Sequence, residues 1–300
     1  MSRHIFYIIN PISGTRKKKD LPAFIEKETT KRNIPFDIFP SVASGDYSFL
    51  HELIKEKSVT DVVIAGGDGT VSQVVNSLMG FDLNFGIIPC GSGNGLAYTA
   101  KISKDPVKAL QTIFDGTAVA TDGFFINGYF ACMLCGLGFD AKVAHDFAQQ
   151  PKRGLSTYIK QVVKNFFGAH TYSFDIKLNK ESFSTDAYFI SIANSNQFGN
   201  NFTIAPKASL SDGLLDIVIV TSQNKLSVLL QTLRQISGLN KLQPETSFDK
   251  NKAVIYFQTD NITITNKSNA PLHIDGEPAE TPEKINIQVR PRCFKLIQPV

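Results

Sequence analysis

Residues 61–70 read Asp61-Val62-Val63-Ile64-Ala65-Gly66-Gly67-Asp68-Gly69-Thr70 (DVVIAGGDGT). The first half is a continuous apolar run, the kind buried on both faces of a parallel sheet. The second half is a glycine loop holding one carboxylate. From Thr70 to Leu78, the residues Val71, Val74, Val75 and Leu78 recur on one helical face. Strand, glycine loop and helix in succession form the unit of an open α/β sheet, and the flanking sequence repeats it.

Upstream, HIFYIIN (4–10) predicts a strand ended by Pro11. Residues 16–32 predict a helix with Leu21, Phe24 and Ile25 inward; PFDIF (35–39) predicts a strand; residues 46–57 predict a helix on Phe49, Leu50, Leu53 and Ile54. Downstream, LNFGIIP (83–89) predicts a strand, GSGNGLAYTA opens a helix, and another helix covers 106–114. The rhythm predicts an open, mostly parallel sheet covered on both faces. Near Asp122-Gly123 it stops. GFFINGYFACML, YSFDIKL, AYFISIAN, LLDIVIVT, AVIYFQT, NITITNK and INIQVRP are short strand patterns separated by turn residues. They predict an all-β, antiparallel, sandwich-like second domain, interrupted by helical patterns at 142–168 and 225–238.

The 300 residues suffice for two ordinary domains, and 42% hydrophobic with 19% charged residues is ordinary globular composition. A net charge of +4 is compatible with anionic ligands or a weak attraction to anionic membrane, and is too small to point to nucleic acid. No window approaches the roughly 18 apolar residues of a spanning helix. The N-terminus reads as a strand rather than a signal peptide. The four cysteines make no disulfide framework, and Cys132 and Cys135 read as small buried residues of a reducing compartment, so the expected location is cytoplasmic.

Three glycine loops fall at the carboxyl ends of expected parallel strands: Asn10-Pro11-Ile12-Ser13-Gly14, Gly66-Gly67-Asp68-Gly69-Thr70 and Gly91-Ser92-Gly93-Asn94-Gly95. Ligands of open α/β sheets bind at that edge. Glycine lets backbone amides approach phosphate oxygens, and the following helix N-terminus favours anions. Three such loops predict a nucleotide site. A carboxylate among phosphates calls for a cation between them, so Asp68 points to Mg²⁺; the alternative is a capping aspartate ahead of the Thr70 helix. His273-Ile274-Asp275-Gly276-Glu277 offers a second carboxylate, a candidate general base or the end of an ordinary Asp-Gly hairpin. In Ser209-Leu210-Ser211-Asp212-Gly213-Leu214-Leu215-Asp216, the acids and loop carbonyls suit a hard cation, or form a polar turn. Walker-type and protein-kinase motifs are both missing.

In this order, Asn10-Pro11 with Gly14, GGDGT, PCGSGN, the Ala205-Pro206 and Asp212-Gly213 pair of motifs, and Asp275-Gly276-Glu277 resemble the diacylglycerol kinase catalytic family, which includes bacterial soluble lipid kinases, sphingosine kinases and ceramide kinases. The resemblance spans essentially the whole chain. GGDGT alone is shared with NAD kinases and is similar to the phosphofructokinase loop. The resemblance implies a nucleotide domain of that type over 1–122 and 293–300, a lipid-substrate domain over 123–292, and an ATP site in the cleft. It implies that Asn10, Pro11, Ile12, Ser13, Gly14, Ser41, Gly66, Gly67, Asp68, Gly69, Thr70, Val71, Ser72, Ser92, Gly93 and Asn94 surround ATP. Glu277 is then the general base, Asp68 organises Mg²⁺ and phosphate, and a structural Mg²⁺ rests on Ser209, Asp212 and Leu214. The bacterial diacylglycerol kinases usually carry an acid where this chain has Gly95, and the loop is more similar to that of the sphingosine and ceramide kinases.

The expected activity is transfer of the γ-phosphate of ATP to a lipid hydroxyl, on a diacylglycerol-like or sphingoid acceptor. The alternatives are a kinase of the NAD kinase type and a non-catalytic nucleotide- or lipid-binding protein. The basic, apolar pattern of 152–168 suits either a core helix or transient contact with the inner face of the membrane. A homodimer is compatible with the sequence, and nucleic acid is not expected as a partner.

Overall fold

A computed structural model of the chain describes residues 3–13, 20–148, 168–179, 181–199, 202–222, 227, 230–231, 234–235, 237–244, 249 and 252–300. Of the expected helix over 142–168, residues 149–167 lie outside the described residues, as do most of that over 225–238 and Gly14. The chain divides into two compact units, residues 1–121 with 292–300 and residues 122–291.

In the first unit, strands β1 (Ile5–Ile9), β2 (Phe36–Pro40), β3 (Asp61–Gly66) and β4 (Asn84–Pro89) form a parallel sheet in the order β2-β1-β3-β4. All six residues of β3 are buried, as its unbroken apolar run requires. The connecting helices are α1 (Leu21–Thr30), α2 (His51–Glu56), α3 (Asp68–Leu78), α4 (Gly95–Thr99) and α5 (Pro106–Asp115). α5 starts where Asp105 accepts hydrogen bonds from the amides of Val107 and Lys108, with Pro106 in the first turn. α3 begins at Asp68, two residues before the apolar periodicity indicates, because Gly67 supplies the extended cap that turns the strand into the helix. The chain moves from β1 outward to β2 and then returns to β3 on the other side of β1. The strand order therefore reverses between β1 and β3, and the loops after these two strands flank the switch point.

In the second unit, β7 (Leu134–Gly138), β8 (Tyr172–Lys177), β9 (Ser182–Ala193), β10 (Gln197–Gly199), β11 (Phe202–Thr203), β12 (Leu215–Thr221), β13 (Val254–Thr259), β14 (Asn261–Asn266), β15 (Leu272–Ile274) and β16 (Glu277–Ala279) pair antiparallel, β10 with β11 alone among the described residues. The twelve-residue β9 changes partner along its length, from β8 at one end to β7 and β12 at the other. β14 alternates buried and half-exposed residues, whereas all seven residues of β12 are buried. The first strand type covers a core with one face, and the second is covered on both. Phe174, Ile176, Ile262, Ile264, Ile285 and Ile287 meet Leu137, Ile190, Ile192, Ile217, Ile219 and Phe257 in one core. The opposite face of β7, β9, β12 and β13 builds a second core around Leu134, Phe189, Val218 and Tyr256, against which Phe139 at the start of α6 (Phe139–Ala148) packs. The architecture is thus an α/β unit and an antiparallel sandwich-like unit, as the sequence patterning indicates.

GFFINGYFACML folds as a hairpin rather than one strand. β5 (Thr117–Ile126) and β6 (Tyr129–Ala131) join through Asn127-Gly128, both with positive φ, the turn such a pair favours. In the long strand β17 (Lys284–Gln298), the first half pairs antiparallel with β14, and Lys295 and Leu296 pair parallel with Asn84 and Phe85. None of the four cysteines forms a disulfide, and burial raises the Cys135 thiol well above its usual value, which keeps it protonated and inert.

Candidate active site

In the first unit, the three glycine loops stand side by side at the carboxyl ends of β1, β3 and β4, joined by side-chain hydrogen bonds and close backbone packing. Asn10 organises the first: its Oδ1 accepts from the amides of Ile12 (3.0 Å) and Ser13 (3.2 Å). Its Nδ2 reaches the second loop and donates to Thr70 Oγ1 at 2.9 Å. Asp68, only 9% exposed, reaches the third loop. Its Oδ2 accepts from the Gly95 amide (3.0 Å) and its Oδ1 from the Leu96 amide (3.1 Å). The carboxylate therefore caps α4. At the third loop, Asn94 sits in the left-handed region (φ 56°); its Oδ1 accepts from the Gly91 amide at 2.7 Å and its Nδ2 donates to the Gly91 carbonyl at 2.8 Å.

Glycine is required where the second and third loops touch. A Cβ on Gly91 would lie 2.6 Å from Gly67 Cα, and one on Gly67 would lie 3.2 Å from Gly91 Cα. Pro11 and Ile12 are exposed, Val71 and Ser72 are buried on α3, and Gly69, Ser92 and Gly93 are half-buried. Ser41 follows β2, and its amide donates to the Ile9 carbonyl at 2.9 Å, next to the first loop. The Asn10, Gly66–Ser72 and Gly91–Gly95 segments thus form one amide-rich edge.

In the second unit, Asp275 and Gly276 are the two central residues of the β15–β16 hairpin, with φ of 48° and 83°. This is the two-residue turn for which Asp-Gly is suited. Asp275 is buried, and Oδ1 accepts from the amides of Met133 (3.1 Å) and Leu134 (3.0 Å) while Oδ2 accepts from that of Cys132 (3.4 Å). The turn is therefore pinned to the start of β7. Glu277 opens β16 opposite Ile274 and is exposed.

The 209–216 turn collects three acids. Asp122 Oδ2 accepts from the Gly213 amide (2.7 Å), and Asp212 Oδ1 from that of Leu214 (3.1 Å). Asp216 is fully buried; Tyr256 donates its hydroxyl to Oδ1 and Gln258 donates to Oδ2 at 2.9 Å. Burial, opposed by these two donors and reinforced by Asp212, pushes the Asp216 carboxyl up to about 6. Burial and then Asp122 raise Asp212 as well. Among the described residues no group of three or more His, Cys, Asp or Glu side chains is placed to hold a metal ion. A cation at this turn would have to rest on Asp212 with loop carbonyls. The donors are all hard oxygens, and the crowding of negative charge suits such an ion.

A glycine-loop α/β unit and an antiparallel β unit bearing an Asp-Gly-Glu turn define a two-domain kinase class. Residues 4–126 match the diacylglycerol kinase catalytic domain and residues 134–298 match the YegS C-terminal NAD kinase beta sandwich-like domain. The chain belongs to the family that carries these two domains in succession, and it is a phosphotransferase with an alcohol group as acceptor. A relative from Shewanella frigidimarina, named probable lipid kinase YegS-like, is 27% identical over 271 residues, covering 88% of this chain and 84% of that protein. One of the same name from Yersinia pestis is 29% identical over 265 residues, covering 83% and 85%. The crystal structure of a diacylglycerol kinase from Bacillus anthracis superposes with a TM-score of 0.71 at 19% identity, covering 99% of this chain and 97% of that one, which establishes the likeness of fold. Among the described residues, no helix is long and apolar enough to cross a membrane.

Proposed function

We propose that the chain is an ATP-dependent lipid kinase, moving the γ-phosphate of ATP to a hydroxyl of a diacylglycerol-like or sphingoid lipid. The observation that carries the reading is the glycine-loop edge. Amides of three loops gather at a topological switch point, where the first turn of α3 adds a partly positive end. Asn10–Ser13, Ser41, Gly66–Ser72 and Ser92–Asn94 hold the nucleotide, and Gly14 belongs to the same loop by sequence. The amides of the 66–70 loop stabilise charge on the transferring phosphoryl group. Asp68 keeps the second and third loops in register through Gly95 and Leu96.

The acceptor's O–H proton passes to the Glu277 carboxylate as the oxygen bonds to the γ-phosphorus and the bond from that phosphorus to the β,γ-bridging oxygen breaks, leaving ADP. An exposed carboxylate on a pinned hairpin suits a base that must meet a substrate. Mg²⁺, when bound with ATP, neutralises β- and γ-phosphate charge. Asp68 would help organise that ion and the phosphates, and a second, structural Mg²⁺ would be held by Asp212 and the carbonyls of Ser209 and Leu214. Gly95, which stands where an acid is usual, contributes its amide to Asp68. The protein works in the cytoplasm with transient contact at the inner face of the membrane.

The test is transfer of γ-labelled phosphate to a panel of diacylglycerol, monoacylglycerol, phosphatidylglycerol, sphingoid bases, ceramide and NAD. Label in one lipid that disappears in Glu277→Gln and Asp68→Ala is the expected result. Label in NAD alone would overturn the lipid reading, and ATP binding without transfer to any acceptor would favour a non-catalytic binding protein.

A further inference from the structure

Four residues before the base proposed above lies a buried histidine that the reaction as written does not use. His273 is 1% exposed and lies on β15, two residues before the Asp275-Gly276 turn. Asp140, in the first turn of α6, is 6% exposed. His273 Nε2 and Asp140 Oδ2 are 3.1 Å apart. On the other side of the ring, the Gly276 amide donates to His273 Nδ1 at 3.3 Å. An amide can only donate, so Nδ1 must accept, and the ring proton belongs on Nε2, where it is given to Asp140. The imidazole is thereby oriented at both nitrogens, from α6 at one end and from the turn at the other.

Space is made for this pair. His273 faces Gly136 across the β15–β7 pairing. A Cβ on Gly136 would lie 2.4 Å from Asp140 Oδ2 and 2.6 Å from His273 Nε2. Any larger residue there would drive the pair apart. Asp275 holds the same turn from its other side through the amides of 132–134. Gly276 is thus gripped by the ring while its neighbour is gripped by backbone, and the next residue is Glu277.

Resting on the assignment of Glu277 as base, we infer that His273 is a positioning residue for the reaction: its Nδ1, presented to Gly276 by a ring that Asp140 orients, fixes the turn that aims the Glu277 carboxylate. Asn at 273 places an amide oxygen where Nδ1 stands, keeping the acceptor for Gly276 and giving up Asp140. Gln at 273 places an amide nitrogen where Nε2 stands, keeping Asp140 and giving up Gly276. A purely structural role for the ring predicts no such ordering.

The experiment compares the full-length wild type, His273→Asn, His273→Gln and Glu277→Gln by lipid-kinase kinetics, by thermal melting, by ¹⁵N NMR of the imidazole and by exchange of the Gly276 amide. His273→Gln should lower kcat by about tenfold or more, with the KM for ATP unchanged, while His273→Asn stays within about threefold. The ring should show the Nε2-protonated neutral tautomer, and Gly276 exchange should accelerate in His273→Gln but not in His273→Asn. Equal losses in the two variants, the reverse order, or an Nδ1-protonated ring would overturn the inference. Its failure is separable from failure of the base assignment. Full turnover in Glu277→Gln would remove the catalytic purpose of the clamp even with the NMR signature intact. An inactive Glu277→Gln beside unaltered Gly276 exchange in His273→Gln would overturn the clamp alone.

Discussion

Two buried aspartates, one in each unit, do the same thing with different results. Asp68 accepts amides from Gly95 and Leu96, and Asp275 accepts amides from Cys132, Met133 and Leu134. Each offsets part of the cost of its burial by accepting backbone amide hydrogen bonds. Asp68 joins two loops that follow different strands, so it holds together an edge rich in backbone amides. Asp275 pins one hairpin, so it leaves the next side chain, Glu277, exposed. The difference suggests a division of labour, with the first unit binding through amides and the second acting through one carboxylate.

Breaking the catalytic side of that comparison should give the largest effect. Glu277→Gln keeps size and polarity at an exposed position and removes the proposed base, so kcat should fall by about 10²–10⁴-fold with ATP affinity and melting temperature nearly unchanged. Asp68→Ala should be next. It uncouples the second and third loops and strips a buried charged acceptor from two amides, which should cost about 1.5–3 kcal/mol of stability per bond at most and weaken ATP binding by about tenfold or more. Chemical denaturation and ATP titration measure the two effects separately.

The comparison is sharpened by Gly91→Ala. Here the new Cβ meets the Gly67 backbone, which cannot rotate away as a side chain would. A loss of about 1–3 kcal/mol and poorer ATP binding are expected, with no change in the environment of Glu277. The smallest effect belongs to Asp212→Asn. It should leave kcat within about threefold and reduce the rise in melting temperature produced by added Mg²⁺, read by scanning calorimetry.

Much of this was legible in residues that act locally. Asp61–Ala65 is apolar because β3 is buried on both faces, and the spacing of Val71, Val74, Val75 and Leu78 places α3. The glycine loops announce the ligand edge by composition, and Asp275-Gly276 reads as a hairpin turn as well as a motif. Asp68 reads as a cap, but the helix it caps begins 27 residues later, which no local pattern encodes. Likewise the amides held by Asp275 lie more than 140 residues away, and Asp140 and His273 meet only because β15 pairs with β7. Two faint signals existed: an acid in the first turn of a helix after Gly136-Leu137-Gly138, and a histidine two residues before an Asp-Gly turn. Neither identifies its partner until the strands are registered. The hairpin at Asn127-Gly128 was readable from its turn residues, although the flanking aromatics present it as one run.

The most direct measurement is ATP affinity and lipid phosphorylation on the same three proteins: wild type, Asp68→Ala and Glu277→Gln. The account predicts that Glu277→Gln binds ATP like the wild type and transfers almost no phosphate, while Asp68→Ala loses ATP binding as well as transfer. Wild-type turnover in Glu277→Gln, or undiminished ATP binding in Asp68→Ala, would contradict it.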